Sequence, residues 1–367
     1  MTDFSQATEA SWRHRVGNIE RLASRTADGI HLEPLYQQVM APRSDRVEYG
    51  PWYILQRVDH ADASRANQQA LDDLQNGATG LAIVRDFDAR MLQGVALHAV
   101  HIRLESGPAL ARAFASHVAK QPIDPARLHV SFGLKDTGLV KDLQSQGFTG
   151  PYLEADGRVF HDRGATEAEE LAAVLSELVR ALRQNVSTSA TLAANQDIFL
   201  TLSKFRALRL LWARVLEASG MLQQALQVHG ETSWRMMATL DPHTNLLRAT
   251  TAVFGAGLGG VDSITVLPFS IRQGVPNAFA RRMARNTQLV LQEESQLWRV
   301  ADAASGSGYV ESLTAALCEK AWGLFQDIER TGQLPAFDAS NPTSDPIVGT
   351  KIHQLSKEFA AAVEVGS

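Results

Sequence analysis

The side chains best suited to touch a ligand stand together at His229-Gly230-Glu231-Thr232-Ser233. A histidine can move a proton, a glutamate can accept hydrogen bonds, and two hydroxyls can orient a polar group. The apolar run Leu226 to His229 reads as a strand, which puts these residues at its carboxyl end. In a strand–helix barrel that end faces the active-site mouth. The same run also suits a plain loop in which Thr232 or Ser233 caps the following helix. The residues alone leave both readings open.

A second cluster is Arg281, Arg282 and Arg285 on a helical pattern. Three guanidinium groups could hold a phosphate, or they could pair with nearby carboxylates such as Glu293 and Glu294. His98 and His101 lie in ALHAVHIRL, where odd spacing on a strand sends them to opposite faces. None of the eleven histidines falls in an H-E-x-x-H run, so a metal site is not expected. Cys318, the single cysteine, excludes an internal disulfide and a cysteine-based zinc site. It sits in the amphipathic pattern LTAALCEKAW and reads as a core thiol.

These residues need elements to position them. From about residue 50, short aliphatic runs alternate with helical patterns such as Ala165 to Leu182 and Phe205 to Leu216. The candidate strands are Gly80–Val84, Ala96–Ile102, Leu128–Phe132, Arg158–His161, Asp197–Leu200, Leu226–His229, Ser263–Val266 and Trp298–Ala301. Eight strands alternating with helices over about 250 residues suit an α/β chain folded as a (β/α)8 TIM barrel. No G-x-G-x-x-G follows the first strand, so a dinucleotide-binding sheet has no support. Residues 3 to 25 read as an amphipathic helix with Phe4, Trp12, Val16, Ile19 and Leu22 on its apolar stripe. Such an arm packs either on another chain or back on its own domain. The reading divides the chain into an N-terminal arm over 1–48, the barrel over 49–334, and a C-terminal loop with a short helix over 335–367.

Bulk composition narrows the classes. With 45% hydrophobic and 20% charged residues the chain is an ordinary globular one. A net charge of -5 argues against a nucleic-acid partner, which wants clustered Lys and Arg. No run of about eighteen apolar residues occurs and the N-terminus lacks a signal-peptide core, so no membrane span and a cytoplasmic location are expected.

The succession from Ala280 to Thr314, read with KFRALRLLWARV at Lys204 to Val215, resembles the barrel domain of the methylmalonyl-CoA mutases. These are adenosylcobalamin-dependent isomerases of acyl-CoA thioesters. The stretches Ser233 to Arg248 and Val261 to Phe269 resemble the small, non-catalytic subunit more than the catalytic one. The family's catalytic chains carry a GYHMQEAGAT pattern whose Tyr and His act at the substrate carbonyl. Aligned on Gly164-Ala165-Thr166, those places hold Arg158 and Val159 here. Valine has no hydrogen-bonding group. The family's His-x-Gln-Thr-Ser pocket run becomes His229, Glu231, Thr232 and Ser233, with a carboxylate replacing the amide. Near Leu128 to Leu143 no arginine stands where the family grips a carboxylate, and the radical-site segment GPYATMY is replaced by DRVEYGPWYILQRV.

The resemblance therefore implies a degenerate site with no catalytic residue of its own. No D-x-H-x-x-G cobalt motif is found, so no C-terminal cobalamin-binding flavodoxin-like domain and no cofactor bound by this chain alone are expected. Adenosylcobalamin would belong to the heterodimer formed with a catalytic mutase subunit. The alternative is a stand-alone acyl-CoA-binding or divergent isomerase barrel, using His229, Glu231, Ser233 and Arg158 on a CoA thioester. A split mutase with a separate cobalamin chain would need the pocket residues that are replaced here.

Overall fold

The computed structural model describes residues 7–39, 41, 50–337 and 363. Eight parallel strands run in chain order: β1 Tyr53–Val58, β2 Gly80–Ile83, β3 His101–Leu104, β4 Val130–Ser131, β5 Leu153–Asp156, β6 Thr188–Ala194, β7 Gln227–Thr232 and β8 Ser263–Thr265. Each pairs with the next in sequence except β4 with β5, and β8 pairs with β1. Between β4 and β5 the ring is closed by backbone bonds: Leu134 N–H donates to Tyr152 O at 3.0 Å and Glu154 N–H to Leu134 O at 2.9 Å. The fold is the expected (β/α)8 barrel.

The outer helices are α1 Ala63–Gln75, α2 Pro108–Val118, α3 Val140–Ser145, α4 Glu167–Arg183, α5 Ile198–Ala218, α6 Thr244–Leu258, α7 Ala278–Leu289 and α8 Gly308–Thr331. The β2–β3 crossover has no α-helix, only the 3-10 turns Ala89–Leu92 and Leu97–Ala99. Local chemistry sets the helix starts. Thr166 and Glu169 form a capping box on α4, and three glutamates fill its first turn. Outward strand residues such as Ile54, Leu81, Ile102, Val130, Leu192 and Ile264 are buried under these helices and form the core.

Three expected strands are not strands. Arg158–His161 is a helical turn, because the strand before it ends at Asp156 and Gly157 starts the turn. Asp197–Leu200 opens α5, where Asp197 accepts the Leu200 N–H at 2.9 Å as an N-cap. Trp298–Ala301 overlaps the 3-10 turn Leu297–Arg299 on the surface. The strands in their place are β1, β5 and β6.

The arm is also shorter than its apolar stripe predicts. Its helix covers Glu9–Val16, has no buried residue, and ends at Gly17 with φ +71°. A 3-10 turn Ile19–Arg21 and a two-stranded antiparallel pair, Ser24–Arg25 with His31–Leu32, follow. This pair folds back on its own barrel. Ile30 joins the core, Asp28 accepts the Ala168 N–H of α4 at 3.1 Å, and Tyr36 packs on Tyr309 of α8. Phe4 and the expected helix Lys351–Val365 fall outside the described residues, Val363 excepted. No helix among the described residues is long and apolar enough to cross a membrane.

Candidate functional site

Alternation along each strand sends every second residue to the barrel axis. The even strands offer small side chains there: Ala82, Ser131, Ser189, Thr191, Ser263 and Thr265. The odd strands offer large charged ones: Arg57, Arg103, Glu154, Asp156 and Glu231. Barrel interiors are built in layers from alternate strands, usually with aliphatic residues. Here one layer is ionic.

Arg158 is the centre of that layer. Its guanidinium makes a fork on Asp156, with Nε and Nη2 at 2.9 and 3.0 Å from the two carboxylate oxygens. Its Nη1 lies 3.1 Å from Glu105 Oε2 and 3.1 Å from Glu231 Oε1. One side chain thus ties the ends of β3, β5 and β7 across the axis. Arg57 on β1 completes the ring, with Nη1 3.1 Å from Glu231 Oε2. Just below, Arg103 bonds Glu105 at 2.7 Å, Thr191 at 2.9 Å, and Glu154.

Three guanidinium groups face four carboxylates in this ring, which leaves one negative charge in excess. The carboxyls respond unequally. Burial opposes the charge of Glu105, but Arg158, Arg103 and Arg57 outweigh it and hold that carboxyl well below its usual range. Burial pushes the Glu231 carboxyl up; Arg158 and Arg57 offset this only in part, and Glu105 repels it.

The structure brings only some of the expected residues together. β7 runs on to Thr232, so His229 is not at its carboxyl end but inside, level with Ser263 and Tyr53. His229 Nδ1 is 2.8 Å from Ser263 Oγ, and burial followed by the nearby Arg103 keeps the ring neutral, its pKa far below 6.5. Glu231 points inward one repeat higher, in the ionic layer. Thr232 and Ser233 leave the axis. Thr232 Oγ1 accepts the Leu267 N–H at 2.8 Å, and Ser233 Oγ lies 2.7 Å from His161 Nε2. Neither Thr232 nor Ser233 makes a side-chain bond that caps the next helical turn. Val159 turns outward and is 41% exposed, while Arg158 beside it fills the mouth.

Two of the three arginines of α7 are ion-paired, with carboxylates other than Glu293 and Glu294. Arg281 and Arg285 both reach the buried Asp73 of α1, each at 2.5 Å, and Arg281 also approaches Asp59 at 3.4 Å. Arg282 stacks over Phe279. Cys318 is inert: burial pushes its thiol up to about 12. His101 faces the axis. His98 lies in a 3-10 turn, so their spacing is not that of one strand. No cluster among the described residues could hold a metal ion.

Sequence reasoning missed Arg57, Arg103, Glu105, Glu154 and Asp156. A signal existed: HIRLE, LEAD and HGE each place polar residues two apart inside aliphatic runs, the mark of a polar inner face.

Below the ionic layer the axis widens. A cavity of about 630 Å3 opens at the amino ends of the strands, away from the usual barrel mouth. His101, His229, Ser131, Ser189 and Ser263 form its inner wall, and exposed residues such as Pro51, His129 and Thr149 its rim.

Comparison with known proteins matches residues 152–365 to the family model described as methylmalonyl-CoA mutase. The methylmalonyl-CoA mutase small subunit of Streptomyces virginiae is 35% identical over 97% of this chain, which spans 69% of that protein. That of Propionibacterium freudenreichii subsp. shermanii is 31% identical over 90% of the chain and 63% of its own length. A probable small subunit of Mycobacterium tuberculosis is 47% identical over 49% of the chain, covering 32% of that protein. Resemblance in the motifs, the barrel, the family model and these relatives agree: the chain belongs to the methylmalonyl-CoA mutase family.

Proposed function

We propose that this chain is a non-catalytic barrel that serves as the structural partner of a catalytic mutase chain in a cytoplasmic heterodimer. The observation that carries the proposal is the ionic layer. Arg158 and Glu231 stand where the resemblance puts the Tyr and Gln of a substrate pocket, and they bond to each other across the axis at 3.1 Å. A guanidinium held by three carboxylates is not free to grip an acyl group, and separating them would leave buried charges unpaired. The small-subunit names of the relatives support the same reading.

The residues around the mouth do not suit adenosylcobalamin. A radical delivered there would meet the paired charges of Arg158, Asp156, Glu105 and Glu231. The cofactor is assigned to the partner. The stand-alone acyl-CoA binder finds no favouring observation, since His229 lies beneath the ion pairs and Thr232 and Ser233 are engaged elsewhere.

Calorimetric titration of the purified chain with methylmalonyl-CoA and with adenosylcobalamin tests this, together with sedimentation of the chain mixed with a catalytic mutase subunit. No heat at millimolar ligand and a complex with the subunit are expected. Binding of the CoA ester by the chain alone, abolished by Arg158→Ala, would overturn the proposal.

A further inference from the structure

A pocket of about 230 Å3 lies off the barrel axis, where the antiparallel pair of the arm folds over the turns that follow β5, β6 and β7. It belongs neither to the ionic layer nor to the cavity at the amino end. Its wall carries charges of both signs that are not paired with each other. Arg235, in the 3-10 turn after β7, is held from behind by main-chain oxygens: its Nη1 donates to His161 O at 2.8 Å and to Ala165 O at 3.4 Å. Its Nε and Nη2 make no bond among the described residues and are not sealed from solvent. Glu167, the first residue of α4, is only 4% exposed. Its Oε1 accepts from Asn195 Nδ2 at 2.8 Å, while its Oε2 has no partner among the described residues and keeps accessible surface. Arg25 of the arm is exposed on the same wall, again with no ion pair among the described residues.

The electrostatics choose the ligand class. A charge drawn out of water without a partner is costly, and neutral groups hold Arg235 and Glu167 apart so that neither satisfies the other. The free donors of Arg235 are its Nε and Nη2, the same edge with which Arg158 makes a fork on the Asp156 carboxylate. That edge fits a carboxylate with two parallel bonds. A simple anion there would be opposed by Glu167 and by Asp197, the α5 cap on the same wall. A simple cation at Glu167 would be opposed by Arg235 and Arg25. A molecule carrying both charges satisfies each side. Leu32 of the arm and Leu200 of α5, both half-buried, add apolar surface. The volume lies below the roughly 300–1,000 Å3 of drug-sized ligand sites and suits a single amino acid.

We infer that this pocket is a binding site for a free aliphatic α-amino acid in its zwitterionic form. The ligand carboxylate takes the Nε and Nη2 edge of Arg235, with Arg25 as the second cation. The ammonium group meets Glu167 Oε2, and the side chain lies against Leu32 and Leu200. The arm supplies one wall and the barrel the other, so the ligand ties the two together. The site does not rest on the partner role.

Ligand-observed NMR titration of the full chain provides the test. The probes are L-leucine and L-valine, with N-acetyl-L-leucine, which lacks the ammonium charge, and L-leucinamide, which lacks the carboxylate. The two amino acids are expected to bind at millimolar concentration or tighter, and each single-charge analogue at least tenfold more weakly than L-leucine. Arg235→Gln and Glu167→Gln should each weaken L-leucine at least tenfold, and circular dichroism checks that both fold. Arg25→Gln changes only an exposed side chain of the arm, keeps the test in force if either buried variant unfolds, and should weaken L-leucine severalfold. Failure of both amino acids to bind the wild-type chain overturns the inference. So does equal binding of N-acetyl-L-leucine or L-leucinamide, or L-leucine binding that is unchanged in Arg25→Gln or in either folded buried variant.

Discussion

Arg158 and Glu231 approach within 3.1 Å across the barrel axis, one from the turn after β5 and the other from β7. Taken singly, each departs from the residue that the resemblance puts at its position. Taken together, they form a contact that neither a tyrosine nor a glutamine would make. The pair ties β7 to the turn after β5 and makes unequal demands on the groups around it.

Arg158→Ala removes the only cation that serves Asp156, Glu105 and Glu231 at once. Breaking a buried pair from one side costs about 3–5 kcal/mol, so a loss in that range is expected by urea denaturation at neutral pH. Glu231→Gln should cost less than about 1 kcal/mol, because it removes the excess negative charge and keeps an acceptor for Arg57. A larger loss for Glu231→Gln than for Arg158→Ala would show that the charge count is misjudged.

The two interior histidines predict an acid-sensitive fold. Unfolded histidine titrates near 6.5, whereas folded His101 sits at about 3 and His229 well below 6.5. Between those values the unfolded chain binds more protons, so stability is complete above about pH 6.5 and falls as pH drops toward 3. From pH 6.5 to 5 His101 should remove about 2 kcal/mol, and His229 acts in the same direction. Denaturation curves at pH 7.5, 6 and 5 measure the slope, and His101→Gln should flatten it.

Asp28 carries the opposite sign. Burial, reinforced by Glu167, raises its carboxyl to about 6 as it sits on the α4 amino end. Its neutral form suits the folded state, so its contribution is present at low pH and lost as pH rises through about 6. Asp28→Asn keeps an acceptor for the Ala168 N–H and should raise the melting temperature at pH 7.5 while changing little near pH 3.5, below the unfolded carboxyl. A gain of equal size at both values would show that the effect is not protonation.

Asp73 is the shared anchor of Arg281, Arg285 and Gln56, and it is 1% exposed. Asp73→Ala takes the carboxylate from Arg285 and leaves Arg281 with only the longer contact to Asp59 at 3.4 Å. A loss of about 3–5 kcal/mol is expected, with Asp73→Asn intermediate because an amide still accepts from one arginine. Thermal melting of the three proteins ranks them.

Helices were more legible in the sequence than strands, for physical reasons. The capping box at Thr166 and Glu169 announces α4, and the 3.6-residue stripe of Phe205 to Leu216 announces most of α5. Short aliphatic runs are ambiguous, because a helix's first turn looks like a buried strand. Asp197–Leu200 was misread for that reason. β6, TSATLAA, escaped because its residues are small, and β5 escaped because its inner face is charged. The replaced positions Arg158 and Val159 were legible through resemblance alone. Their ion-paired surroundings were not, since Glu105, Asp156 and Glu231 meet only when the ring closes.

That ring has a consequence for how the chain finds its own fold. A barrel interior of small and polar residues gives little apolar reward for correct strand alignment. A one-residue slip of β3 would turn Arg103 and Glu105 out into the aliphatic belt beneath the helices and draw Ile102 and Leu104 into a ring of charges. Each misalignment would therefore strand several ions at once. The axis acts as a combination lock on assembly, and only one setting of the strands lets it shut.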